Sequence, residues 1–108
     1  MALYYNVKGA SVSGGKETTE LIAPNVNRSP VSHIQLTNVH DTADATITLF
    51  IQDDPTSGTT NTYKIINLVV VPAGSSLSLD NPKMFAFSDI YGLYITVGSS
   101  DIVDVIVS

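Results

Sequence analysis

The sequence holds no cysteine and no tryptophan, and its 108 residues include five cations and two Glu. Without cysteine there is no disulfide, no thiolate metal site and no cysteine nucleophile, so the chain must fold on a hydrophobic core alone. Lys8, Lys16, Arg28, Lys64 and Lys83 stand singly. Binding DNA or RNA needs a basic stripe that neutralises phosphates, and none exists here, which argues against nucleic acid as a partner. No apolar run approaches the ~20 residues that span a bilayer, and Met1 to Lys8 lacks the charged and apolar regions of an export signal. These features predict a protein made in a cytoplasm, without a membrane span. Charge is sparse at 14% of residues, below the ~25% of ordinary soluble domains, while 44% are hydrophobic. Part of the surface is therefore expected to meet another protein. The net charge is −5, and residues 33 to 108 hold eight Asp against two cations.

Val and Ile supply 22 residues, a composition that favours pleated sheet over helix. The clearest strand runs from Asp44 to Gln52: Ala45, Ile47, Leu49 and Ile51 alternate with Thr46, Thr48, Phe50 and Gln52, so one face is buried and the other wet. Phe50 is the exception on the wet face. Val31 to Asn38 carries Ile34 and Leu36 between polar residues, and the turn-rich connection that follows predicts antiparallel pairing with the Asp44 strand. Tyr63 to Val71 is more continuously apolar, the pattern of a strand covered on both faces or lying at a subunit contact. Pro72-Ala-Gly74 marks a corner, followed by a strand holding Leu77 and Leu79. Met84 to Phe87, Leu93 to Val97 and Ile102 to Val107 read as the remaining segments.

Turn signals every eight to twelve residues, with no helical period between them, predict an antiparallel β-sandwich of 7 to 8 strands, Ig-like or jelly-roll. One domain covers residues 1–108, with residues 31–108 as its core. Residues 1–30 form peripheral strands or an extended N-terminal arm. The expected core is Ile34, Leu36, Ile47, Leu49, Ile51, Leu77, Leu79, Leu93 and Ile95.

No catalytic pattern emerges, and the chain is not expected to be an enzyme or to use a cofactor or metal. His33 and His40 lie seven apart without recognised metal-ligand spacing, and no serine sits in a nucleophile elbow. Asp53 and Asp54 are adjacent, and Asp101 and Asp104 are odd-spaced, so each pair points to opposite strand faces rather than across one substrate. The loop Asp53 to Asn61 carries oxygen ligands but departs from the calcium-loop order. Asn27-Arg-Ser29 matches a glycosylation sequon with Pro30 behind it. Five tyrosines leave a carbohydrate-binding face as an alternative, with Tyr91, Leu93 and Ile95 on one strand face and Tyr94 and Thr96 on the other. Candidate interaction residues are Tyr4 and Tyr5 in the N-terminal segment, the apolar run Val69, Val70 and Val71, and Asp104, which sits between hydrophobic neighbours as at a sheet edge or subunit contact.

The runs Ile34-Gln-Leu-Thr-Asn38, Asp44-Ala-Thr-Ile-Thr-Leu-Phe-Ile51, Val70-Val-Pro-Ala-Gly-Ser-Ser-Leu77 and Tyr91-Gly-Leu-Tyr-Ile-Thr-Val-Gly-Ser-Ser100 resemble small virion-associated β-sandwich proteins of tailed bacteriophages, cyanophages in particular. The likeness spans residues 31 to 108. It implies a structural component of the virion: a capsid decoration or cement protein on the outer shell, or else a neck or tail accessory; a host-surface carbohydrate-binding adhesion module is the alternative that the tyrosines leave open. It further implies the major capsid protein or other virion proteins as partners, a homo-oligomer, and a location in the virion after assembly in the host cytoplasm. The acidic balance favours an outer surface over the DNA-facing interior.

Overall fold

A computed structural model describes residues 3–10, 18–25, 31–53 and 61–108. They form eight strands: β1 (Leu3–Lys8), β2 (Thr18–Ile22), β3 (Ile34–Asn38), β4 (Ala45–Gln52), β5 (Thr62–Val71), β6 (Ser76–Leu79), β7 (Gly92–Val97) and β8 (Ile102–Val107). Two four-stranded antiparallel sheets result, in the orders β1-β8-β3-β6 and β2-β7-β4-β5. Apart from the β4–β5 hairpin, each strand is followed by one in the other sheet, which makes the sandwich a jelly roll. The described N-terminal residues sit in the chain's own sheets, β1 beside β8 and β2 beside β7.

β3 and β4 do not pair. Each lies inside a different sheet, and residues 39–44 carry the chain from one layer to the other. Their alternation is real, but alternation reports which face is buried and not which strand lies alongside. Ile34, Leu36, Val103, Val105 and Val7 from the first sheet meet Ile47, Leu49, Leu93, Ile95 and Val97 from the second. Ile51, Leu77 and Leu79 pack on the margin of this core, half-buried.

One polar side chain is fully enclosed among the described residues. Asn38, at 0% exposure, donates from Nδ2 to the carbonyls of Ala43 (2.8 Å) and Val71 (3.0 Å), while its Oδ1 accepts from the His40 amide (3.0 Å). It thereby holds the β3–β4 crossover against the end of β5 and satisfies the Ala43 carbonyl and the His40 amide, which lie outside the strands. At the same end of the strands, Gly9 donates to the Asp101 carbonyl (2.8 Å), Ser100 donates to Ala10 (3.0 Å), and Asp101 Oδ2 accepts from the Thr46 amide (3.0 Å). Asp101 is thus a staple between the β7–β8 turn and β4.

The apolar run that ends at Val71 is not covered on both faces. β5 is an edge strand, and it needs ten residues to match the eight of β4 because the register slips twice. Each slip inserts a residue that breaks period-two alternation, so the run reads as uniformly apolar although several of its side chains face solvent. Met84 and Phe85 of the expected Met84 to Phe87 segment lie instead in a 3-10 turn, Pro82–Phe85. The Asn81 side chain caps it by accepting from the Lys83 amide (3.1 Å), and Phe85 is buried. Proline beside an Asx cap favours a turn over a ladder position that would need its missing N–H.

Tyr5 links the two sheets at the β1 edge, donating its hydroxyl to the Leu21 carbonyl. Burial first, and the Glu20 charge second, push its phenol above the ordinary tyrosine value. The native state therefore keeps the proton where the unfolded phenol loses it. The resulting stability is present below about pH 10 and falls as pH rises beyond it. Tyr5→Phe should cost about 1 kcal/mol near neutrality and flatten that alkaline decline, measured by urea unfolding across pH 8 to 11.

Candidate interaction surfaces

The sequence-predicted interaction residues do not converge. Tyr4, at 73% exposure, and Asp104 both point outward from the first sheet, where Asn6 donates from Nδ2 to Asp104 Oδ1 (2.7 Å). Asp104 is not at an edge: β8 is flanked by β1 and β3, and the carboxylate stands on the solvent face of an inner strand. Tyr5 is turned inward and engaged with Leu21. Val71 belongs to the core, Val69 is half-buried, and Val70 is exposed on β5 at the far edge of the other sheet.

Among the described residues, no three His, Asp or Glu side chains gather as a metal site. His33 Nε2 bonds the Ser78 hydroxyl (2.6 Å) and His40 Nε2 lies 3.0 Å from the Ser100 carbonyl. Residues 54–60 of the Asp53 to Asn61 loop and all of Asn27-Arg-Ser29 lie outside the described residues. No helix there is long and apolar enough to cross a membrane.

Two features stand out in their place, both on the second sheet. Along the β5 edge, Tyr63, Leu68 and Val70 are exposed, Leu68 at 63% and Val70 at 55%. Leu68 sits at a register slip with φ +54°, and its amide donates to the Thr48 hydroxyl (3.1 Å). A left-handed leucine costs roughly 1–2 kcal/mol, and a side chain this exposed recovers little of it by burial.

The second feature is the outer face of the same sheet. The strand register places Glu20, Tyr94, Phe50 and Lys64 in one row across β2, β7, β4 and β5. Thr18, Thr96 and Thr48 form the next row. Phe50 stacks on Tyr94 with centroids 5.7 Å apart and planes at 18°, leaving Tyr94 5% exposed on the solvent side of its sheet. Beside this pair a groove of about 570 Å³ opens between Phe50, Gln52, Lys64, Asn67, Leu68, Thr48 and Thr96. The tyrosines expected to offer a stacking face are thus otherwise engaged, Tyr94 beneath Phe50 and Tyr91 edge-on to Tyr63. Phe50, singled out by its place on a wet face, is the ring that lines the groove.

No family model and no curated protein matches the chain. Among solved structures it is similar to one described as the crystal structure of PirA, with a TM-score of 0.54 at 13% identity, covering 97% of this chain and 90% of that one. The likeness shows the fold alone. Jelly rolls serve viral shells and lectins alike, so the surfaces must carry the functional argument.

Proposed function

We propose that this chain is a non-enzymatic structural subunit of a bacteriophage particle, a decoration protein that attaches to the outer shell and contacts the major capsid protein or further copies of itself. The observation that supports this most is Leu68, a bulky residue held in a left-handed conformation and presented to solvent on an unpaired strand edge. Backbone strain that the core does not repay is kept where a contact outside the domain uses it. The two register slips suit the same role. They stop β5 from pairing indiscriminately with any exposed strand, while Leu68 and Val70 remain available to a partner of fitted shape. A net charge of −5 favours the outside of the shell.

Leu68→Gly separates this role from folding. Glycine accepts the positive φ, so the variant should melt no lower than the parent and gain up to about 1 kcal/mol. Its occupancy on purified particles, read by quantitative mass spectrometry, should fall at least tenfold. Absence of the parent chain from particles, or full occupancy by Leu68→Gly, would overturn the proposal.

A further inference from the structure

Apart from Leu68, which it shares with the β5 edge, the groove on the outer face of the second sheet is lined by residues that the attachment reading does not use. β4 and β7 are each paired on both sides, so their amides are committed to ladders and a ligand here meets side chains alone. Those side chains combine an aromatic ring with hydroxyls, two carboxamides and one ammonium.

We infer that this groove binds an oligosaccharide, with one pyranose packed on the Phe50 ring. A pyranose has a face of C–H groups and a rim of closely spaced hydroxyls that both donate and accept, and the groove supplies the complement of each. Phe50 is held in place by its stack on Tyr94, so little side-chain freedom is lost on binding. The flanking polar groups are also positioned by their own contacts, each of which leaves capacity for a ligand. Gln52 donates from Nε2 to Thr62 Oγ1 (2.9 Å) and keeps its carbonyl as an acceptor. Asn67 Oδ1 accepts from the Lys64 ammonium (3.2 Å), leaving the Asn67 amide and two ammonium protons as donors. Thr48 Oγ1 accepts from the Leu68 amide, which leaves its proton free to donate. A volume of about 570 Å³ lies within the usual range of small-ligand sites.

The lining suits other classes less well. Its single cation is too little for a nucleic-acid backbone. An extended peptide would seek unpaired main chain, which lies at the β5 edge and not on this face. The lining contains no carboxylate in a chain of net charge −5, which removes the groups that would repel an acidic sugar.

The test uses the purified full chain, so its outcome does not depend on the particle-attachment reading. The labelled protein is screened on an array of neutral and uronate-bearing oligosaccharides, and the best ligand is then titrated by calorimetry. Binding should weaken at least tenfold in Phe50→Ala, checked for folding by thermal melt, and in the double variant Gln52→Leu with Asn67→Leu, which keeps volume and removes hydrogen bonds. Tyr4→Ala, on the other sheet, should bind as the parent does. Backbone NMR signals of Phe50, Gln52 and Lys64 should shift on titration. An array with no bound glycan would overturn the inference, as would equal binding by Phe50→Ala or signal changes confined to the first sheet.

Discussion

Asn38→Ala should lower the stability of the domain by about 3–4 kcal/mol, roughly a fifth or more of what a domain of this size has in total. The loss has two parts. Removing the amide leaves the carbonyls of Ala43 and Val71 and the amide of His40 without the bonds they make to it, at a site with no solvent access. Each buried polar group left unpaired costs about 1–3 kcal/mol, and the cavity left by the shorter side chain adds to that. The melting temperature should drop by roughly 10–20 °C. Asn38→Asp distinguishes the two contributions, because it keeps the volume and one acceptor but faces two carbonyls with no donor. It should be at least as damaging. If Asn38→Asp proves as stable as the parent at neutral pH, the donor bonds to Ala43 and Val71 are not what hold the crossover.

Gly9→Val should be of similar severity for a different reason. A Cβ at Gly9 would run into the carbonyl of Gly98 and lie 3.3 Å from the Ser100 amide, and both obstacles are main chain. A side chain can rotate out of the way, whereas this turn is fixed by the Gly9–Asp101 and Ser100–Ala10 bonds and by the Asp101 carboxylate on Thr46. Relief requires the β7–β8 turn to move off the end of β1 and give up those bonds. The expected cost is about 3 kcal/mol or more, read as a lower urea midpoint with little change in slope. Gly9→Ala should show most of the effect, since its Cβ alone makes the clash. An unchanged midpoint would mean that the turn yields freely.

What the sequence discloses depends on how far each signal is local. The alternation of Ala45 to Gln52 states which residues of β4 face inward, and Ile47 and Leu49 are fully buried as that pattern requires. The same alternation is silent about neighbours. β3 and β4 lie close in sequence with turn residues between them, yet the chain uses that turn to change layers. The partner that reveals this, the Asn38 amide on Val71, spans 33 residues. β5 is harder still, because its two inserted residues scramble the period that would have marked Val71 as inward and Val70 as outward. The groove was partly legible. Phe50 was anomalous as an aromatic on a threonine-bearing face, but beyond Thr48 and Gln52 on its own strand the residues around it come mainly from β5 and β7, and no spacing rule aligns Lys64 or Tyr94 with it. Asp104 misled because hydrophobic neighbours on both sides suggest an edge. On an inner strand with one dry and one wet face, Val103 and Val105 point into the core while Asp104 points out, which is ordinary alternation.

The placing of β7 and β8 in the middle of their sheets also bears on the order in which the molecule can be built. During synthesis, β1 through β6 emerge first, and in the finished fold, among the described residues, β1 has no strand partner but β8 while β2 has none but β7. Until residues 92–107 leave the ribosome, each sheet lacks an inner strand, and the first two strands have exposed edges with nothing native to hold. Acquisition of structure should therefore be late and concerted, with closure of long chain segments setting its pace. A nascent chain arrested before β7 should remain protease-sensitive throughout.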